Sequence, residues 1–458
     1  MQRRFIKKDL TKGNIVKNLL VVSVPTMFGF FAQTLYDFID MIWIGRISAQ
    51  AVAGVTIFST IFWISDIFSE IIGVSAVSLI SQSYGSGHTD KTKEIMEQSI
   101  FFKLLVSAVM AIMLTILLKP LSYFFSDDNL VIKHILDYGI IRSLFLPFMF
   151  ASFSVNTAMR CTGDARHPMI IMTFTSILNI ILDPILMFET IPGTSIPGFG
   201  WGIQGAAIAT VFSTFVAFSA GLLILLSGKS YVQISVKGLF RLSKENAKKL
   251  SIIGLPTGLE MFFRQGSQFL LLKIVSLYGT PALAVFGIGM RLSNLVFLPL
   301  LGLSMGGSTV AGQNLGANQV ERTHKTALWA AFLGSIVTGI IVAIIICFPE
   351  HIIKLFINHN EVIEIGKNMI YIIAPSFIAV ALSMGLNTVF SGSGFNLPFL
   401  VSGVVSRWLF QIPYSFLIVY ILSLPVHYIW IGFLLAELIE LIVMVIYYKK
   451  GKWKYNRV

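Results

Sequence analysis

The sequence predicts an all-α polytopic membrane protein, with twelve transmembrane helices in two pseudo-symmetric, parallel six-helix bundles. Three observations lead there. Of 458 residues 55% are hydrophobic and only 12% charged, about half the ~25% charge of soluble domains, and mean hydropathy is +0.80. Apolar runs of roughly 18 residues or more recur along the chain, each long enough to cross ~30 Å of hydrocarbon at ~1.5 Å per residue. The chain also matches itself at an offset of 231 positions. A membrane β-barrel is excluded, because the runs are continuously apolar and do not alternate over ~10 residues.

Taken in order, helix 1 (15–45) follows a basic segment and carries Pro25, Asp37 and Asp40. Those aspartates, and the lack of a small-residue cleavage site, argue that it is retained and is not a signal peptide. Helix 2 (52–83) carries Asp66 and Glu70 one turn apart, which suits a structural hydrogen-bonding role as well as a cavity role. Helix 3 (94–118) carries Lys103, helix 4 (131–160) holds Tyr138 and Asn156, and helix 5 (167–189) holds Asn179, Asp183 and Pro184. Helix 6 (201–227) opens on small residues and contains Thr210. After a charged connection come helix 7 (246–276), with Glu260 and Arg264 at the spacing of an intrahelical ion pair, and the apolar helices 8 (283–313) and 9 (324–348). Helices 10 (362–391), 11 (397–421) and 12 (427–448) complete the set; Glu437 and Glu440 on helix 12 have no obvious partner in sequence.

Lys and Arg cluster on alternate connections: Arg3, Arg4, Lys7, Lys8, Lys12 and Lys17 before helix 1, six residues from Lys229 to Lys249, and five from Lys449 to Arg457. The opposite connections carry only Arg46, Lys119, Lys133 and Lys354. The positive-inside rule then places both termini in the cytoplasm. The net charge of +12 reads as a topology signal and not as a nucleic-acid surface. The longest charged connection divides the chain into an N-terminal six-helix lobe (1–227), a cytoplasmic linker (228–245) and a C-terminal lobe (246–458).

Two isolated cysteines, Cys161 and Cys347, cannot build a disulfide framework or a thiolate metal site. Gly228-Lys229-Ser230 lacks the leading glycine of a phosphate-binding loop, because position 223 is Leu, and no HExxH occurs. All seven histidines fall at or near helix ends, which argues against a metal site. No nucleophile, base and oxyanion donors assemble into a recognisable catalytic set, so an enzyme is not expected. No cofactor is expected either.

The self-match aligns 23–87 with 254–318: Pro25 meets Pro256, Thr26 meets Thr257, Gln82 meets Gln313 and Gly85 meets Gly316. At an offset of 229, Pro184 meets Pro413 and Trp201 meets Trp430. Six helices per repeat make the repeats parallel, a plan that suits two lobes alternating access to a central cavity better than it suits a passive channel. Residues present in one repeat only are not demanded by packing. Asp40 aligns with Leu271 and Asp183 with Ile412.

A charged side chain at the bilayer centre costs roughly 2.5–3.5 kcal/mol on insertion scales, which makes Asp40 and Asp183 functional candidates. Helices 1 and 5 both run outward, and each aspartate lies about two helical turns before an end-marking charge, so the pair shares one depth. Tyr138 and Thr210 reach the same level on helices 4 and 6, with Asn179 one turn below Asp183 and Tyr36 one turn below Asp40. Two carboxylates with an amide, a hydroxyl and a phenol suit either a reversible proton site or an oxygen-ligand sodium site formed by Asp40, Asn179, Asp183 and Thr210. Pro25 and Pro184 free the carbonyls of Val21 and Ile180 and make helices 1 and 5 bendable.

Twelve helices in two parallel sixes, Pro25 with Asp40, Asn179-Ile-Ile-Leu-Asp183-Pro184 and the Gly-Ala-Ala-Ile-Ala-Thr run ending at Thr210 resemble the multidrug and toxic compound extrusion (MATE) family over nearly the whole chain, most closely its prokaryotic DNA-damage-inducible branch. The resemblance implies a multi-pass transporter of the inner (plasma) membrane that exports small amphipathic, often cationic compounds in exchange for H⁺ or Na⁺. It further implies that Asp40, Asp183, Asn179 and Thr210 hold the coupling ion, that Tyr36 and Tyr138 join their hydrogen-bond network, and that Gln33 and Asn156 line the substrate cavity. The chain departs from the branch whose coupling carboxylates lie in the C-terminal lobe: Glu260 falls one turn before that branch's glutamate, where this sequence has Gln265, and helix 10 has no interior aspartate. Coupling is therefore expected in the N-terminal lobe.

Partners are expected to be lipid and small organic substrates, with no nucleic acid, and the chain is expected to act as a monomer. The alternative is a lipid-linked oligosaccharide flippase of the same superfamily. A phosphate-bearing substrate would favour a basic cavity, and intramembrane Lys103, Arg142, Arg264, Lys273, Arg291 and Arg407 supply basic residues.

Overall fold

The computed structural model describes residues 9–458; Arg3, Arg4, Lys7 and Lys8 of the expected basic cluster lie outside them. Among these residues the chain is helical, with one isolated backbone bridge between Thr190 and Pro197. Ten helices are long and apolar enough to cross a membrane, and a bent pair makes an eleventh. Leu255–Ser276 supplies the twelfth. At 22 residues it is long enough to span, and Glu260, Arg264 and Lys273 lower its apolar character.

We number the spans α1 (Ile15–Gly45), α2 (Ala49–Gly85), α3 (Thr89–Phe125), α4 (Asn129–Leu144 continuing as Leu146–Cys161), α5 (Arg166–Met187) and α6 (Gly202–Leu226) in the first repeat. The second has α7 (Leu255–Ser276), α8 (Thr280–Gly316), α9 (Val320–Cys347), α10 (Asn360–Ile373 continuing as Ser376–Ser393), α11 (Leu397 to Ile421) and α12 (His427–Lys450).

Three expected single helices are interrupted, each beside a proline. α4 bends by 51° around Phe145, where Pro147 opens the second segment and leaves no N–H for the carbonyl of Ser143. α10 breaks at Ala374-Pro375. The expected helix 7 divides into a short amphipathic helix, Lys244–Ile252, and α7, which starts just before Pro256. In α11 the stretches Val404–Gln411 and Leu417–Ile421 widen to π-helical turns on either side of the segment holding Pro413.

The chain forms two compact units. One holds 28–252; the other holds 10–27 together with 253–458. The expected lobes, 1–227 and 246–458, differ from these at two places: residues 228–252, the connection with the helix Lys244–Ile252, belong with the first unit, and the first half of α1 belongs with the second. The second difference has a steric basis. Gly302 and Gly306 on α8 present bare backbone to Met27 and Ser23 of α1, where added methyl groups would collide. Arg322 and Asn314 also hold the chain ahead of α1, donating to the carbonyls of Gly13 at 3.0 Å and Leu10 at 3.3 Å.

The core of the first unit joins α2, α3 and α4 through Phe58, Leu118, Ile135 and Tyr138, all buried, with the Phe58 and Tyr138 rings edge to face at 5.4 Å. That packing fixes the rotation of α4 and therefore the position of the Tyr138 hydroxyl. In the second unit, Gly385 of α10 lies against the Ala331 backbone of α9, leaving no room for a side chain. Small residues at such crossings let membrane helices pack where no hydrophobic force draws them together.

Candidate functional site

The site lies in the first unit and draws on α1, α4, α5 and α6. On α1, Gln33, Tyr36 and Asp40 recur at three- and four-residue steps and so share one face. On α5, Ser176, Asn179 and Asp183 do the same. The turn joining α5 to α6 sets their register, because the Ile185 and Leu186 carbonyls at the end of α5 accept from Phe199 N–H at 2.8 Å and Trp201 N–H at 2.9 Å. This brings Thr210, two turns into α6, beside Asn179.

Asp183 is fully buried and Asp40 is 7% exposed. Their carboxyl groups lie within hydrogen-bonding reach of each other, and the Oδ1 atom of each is buried without a hydrogen-bond partner. Asn179 ties the pair to α6. In the orientation that satisfies both ends of its amide, Nδ2 donates to Asp183 Oδ2 at 3.0 Å and Oδ1 accepts from the Thr210 N–H at 3.2 Å. The Thr210 hydroxyl donates to the Ala206 carbonyl at 3.0 Å.

A guanidinium completes the constellation. Arg142, one turn after Tyr138 on α4, donates to the Tyr138 hydroxyl at 3.3 Å and packs over the Phe62 ring at 5.7 Å. Its charge acts on Tyr36, Asp37 and Asp40. Sequence reasoning counted Arg142 only among scattered basic residues, although its four-residue spacing from Tyr138 was the available signal. Asp37 was noted only as a charge within helix 1.

Next to the carboxylates is a small cavity of about 70 Å³. Of the predicted residues Gln33, Tyr36, Asn156, Asn179 and Thr210 line it, together with Ser152, Phe153, Met172 and Ser213. The lining is amphipathic: hydroxyls and amides alternate with flexible methionine and aromatic surface. Asp40, Asp183 and Tyr138 are not on its wall, and Asn179 is the link between cavity and carboxylates. Pro184 stands beside Asp183 on α5, whereas Pro25 lies four turns from Asp40 in the part of α1 that packs in the second unit.

The remaining buried charges are paired in other ways. Glu260 and Arg264 form the expected pair, with Nε 2.6 Å from Oε1. Arg264 also reaches Glu440 at 3.3 Å, and Arg407 of α11 bonds Glu437 at 3.0 Å and Glu440 at 3.3 Å. Glu437 and Glu440 therefore do have partners, distant in sequence. In the first unit, buried Lys103 faces Asp66 and Glu70.

An all-helical membrane protein built from a duplicated unit, with an acid pair opening through an amide onto an amphipathic cavity, has the build of a membrane transporter. The MatE family model matches residues 25–185 and again 256–417, and the chain belongs to that family: it is a membrane transporter, not an enzyme. The internal repeat is thus the family unit occurring twice. The chain is 25% identical to the probable multidrug resistance protein YoeA of Bacillus subtilis, covering 100% of this chain and 98% of that one. It is 26% identical to the probable multidrug resistance protein NorM of Thermotoga maritima, over 96% and 93%. In fold it matches a MOP superfamily transporter from Pyrococcus furiosus with a TM-score of 0.89, at 22% identity over 98% of each chain.

Proposed function

We propose that this chain is a secondary active antiporter of the inner (plasma) membrane, with both termini cytoplasmic, that exports small amphipathic, often cationic compounds in exchange for H⁺ or Na⁺ by alternating access. One observation carries the reading: Asp40 and Asp183 adjoin in a buried site that Asn179 joins to the cavity. A carboxyl–carboxyl hydrogen bond requires a proton on one partner, so binding and release of a proton changes how α1 and α5 are held together. With both carboxylates ionised, Asn179 and Thr210 would complete the oxygen ligands of a sodium ion. Either ion draws on the membrane potential at ~2.3 kcal/mol per charge per 100 mV. A tenfold gradient of a neutral substrate costs ~1.4 kcal/mol, so one ion per cycle suffices.

The similarity to proteins described as multidrug resistance proteins supports this substrate class, as does a cavity whose Met172 and Phe153 can adapt to varied apolar shapes. The flippase alternative needs basic residues free to meet phosphate. Arg264 and Arg407 are engaged by glutamates, and Arg142 by Tyr138 and the nearby aspartates.

The test is efflux of a fluorescent organic cation from proteoliposomes under separate proton and sodium gradients. Wild type should respond to one gradient, which names the ion, while Asp40→Asn and Asp183→Asn should fold and lose the response. Undiminished transport in both variants would overturn the coupling assignment, and a wild type indifferent to both gradients would revive the flippase.

A further inference from the structure

The connection between α6 and α7 is not a slack tether. Ser230 Oγ donates to Asp164 at 2.8 Å, and the Ser235 N–H and hydroxyl both donate to the Glu97 carboxylate, at 2.6 and 2.9 Å. Further along, the Ser243 N–H and the Asn246 side-chain amide donate to the Gln98 side-chain Oε1 at 3.1 and 3.0 Å. These bonds pin the segment across the start of α3 and leave one side of it bare.

On the bare side Phe240 is 71% exposed and Val236 57% exposed. The Phe240 ring meets Phe101 edge to face at 5.6 Å. Phe101 heads a stripe on α3, continued by the exposed Leu105, Val109, Ile112 and Ile116, whose spacing keeps it on one helix face. Such a stripe is what a spanning helix shows to acyl chains, so Phe240 stands at the rim of the lipid-facing surface.

Beside Phe240, Lys237, Arg241 and Lys244 are exposed, and none pairs with a carboxylate among the described residues. The neighbouring acids are already occupied: Glu97 by Ser235, Glu94 by Gln98 at 2.9 Å and Glu245 by Lys249 at 2.9 Å. An aromatic ring at the membrane rim flanked by unpaired cations is the pattern that holds an interfacial segment to acidic lipid. We propose that residues 236–244 form a docking surface for anionic phospholipid, with Phe240 seated among the upper acyl carbons and Lys237, Arg241 and Lys244 on the headgroup phosphates. The leaflet is the one on this side of the protein, cytoplasmic in the proposed topology.

Native mass spectrometry of the full chain in an uncharged detergent tests this, with phosphatidylglycerol and phosphatidylcholine offered together. Wild type should retain phosphatidylglycerol preferentially, and higher ionic strength should erode the preference. Each cation removed should weaken retention about fivefold, so Lys237→Gln/Arg241→Gln/Lys244→Gln should lower it at least tenfold with an unchanged unfolding midpoint. Phe240→Ser should weaken retention of both lipids. Equal retention of the two lipids by wild type, or unchanged preference in the triple variant, overturns the proposal. Competition by inorganic phosphate as effective as by the lipid would also overturn it, marking a free-phosphate site.

Discussion

Arg264 and Glu260 form an intimate pair, yet their removal should have very different consequences. The buried network of the second unit contains three carboxylates, Glu260, Glu437 and Glu440, and two guanidiniums, Arg264 and Arg407. In Arg264→Met, Glu437 and Glu440 keep Arg407, while Glu260, only 2% exposed, loses its sole ion-pair partner among the described residues. Breaking a buried pair from one side costs ~3–5 kcal/mol, in line with the ~2.5–3.5 kcal/mol cost of a bare charge at membrane depth. At ~1.4 kcal/mol per tenfold, the folded-to-unfolded ratio should fall by at least a hundredfold. Glu260→Gln instead leaves two carboxylates with two guanidiniums and an amide oxygen able to accept from Arg264, so it should stay within ~1 kcal/mol of wild type. Loss of far-UV helicity during titration with dodecyl sulfate reads both. Equal destabilisation by the two substitutions would refute the charge count. If Glu260→Gln folds normally and loses gradient-driven transport, coupling belongs to the second unit and the assignment to Asp40 and Asp183 falls.

Three further outcomes follow from local geometry. Gly385→Val should prevent stable assembly of α9 with α10, because its side chain would enter the Ala331 backbone; recovery of wild-type yield and unfolding midpoint would contradict this. Glu97→Ala removes the acceptor of two bonds from Ser235 and should make the 228–245 connection much more susceptible to limited proteolysis; unchanged cleavage would show that the remaining contacts suffice. The Lys249 ammonium bonded to Glu245 holds that carboxyl below its ordinary value of 4.5. A depressed acid stabilises the fold above its unfolded value and loses that contribution as pH falls through the folded one, so below pH 4.5 helix Lys244–Ile252 should open more readily. Hydrogen exchange should show this in wild type and not in Glu245→Gln.

Sequence alone discloses the elements whose cause is local. Apolar runs place nearly all the spans, since the bilayer acts on each in the same way; a shared depth groups Tyr36, Asn179 and Thr210, which do share a cavity, and the family resemblance adds Gln33 and Asn156 to it. The breaks at Pro147 and Pro375 were less legible because proline within a spanning helix is compatible with either a kink or a full break, and neighbouring packing decides. The partners of Glu437 and Glu440 escaped because Arg407 and Arg264 stand 30 and 176 residues away; no periodicity links such positions. Arg142 was within reach, one turn from Tyr138, but its aim toward α1 depends on the bend of α4.

The assignment of residues 10–27 to the second unit bears on how the molecule is made. These residues are synthesised before the rest of the second unit, and Gly302 and Gly306, the surfaces they fill, follow about 280 positions later. The opening stretch of α1 must therefore wait in the membrane while nearly two thirds of the chain is inserted. A gene cut at the 228–245 connection would not yield two self-sufficient fragments, because the downstream product would lack a piece encoded upstream. Complementation in trans should require a donor fragment that includes that stretch.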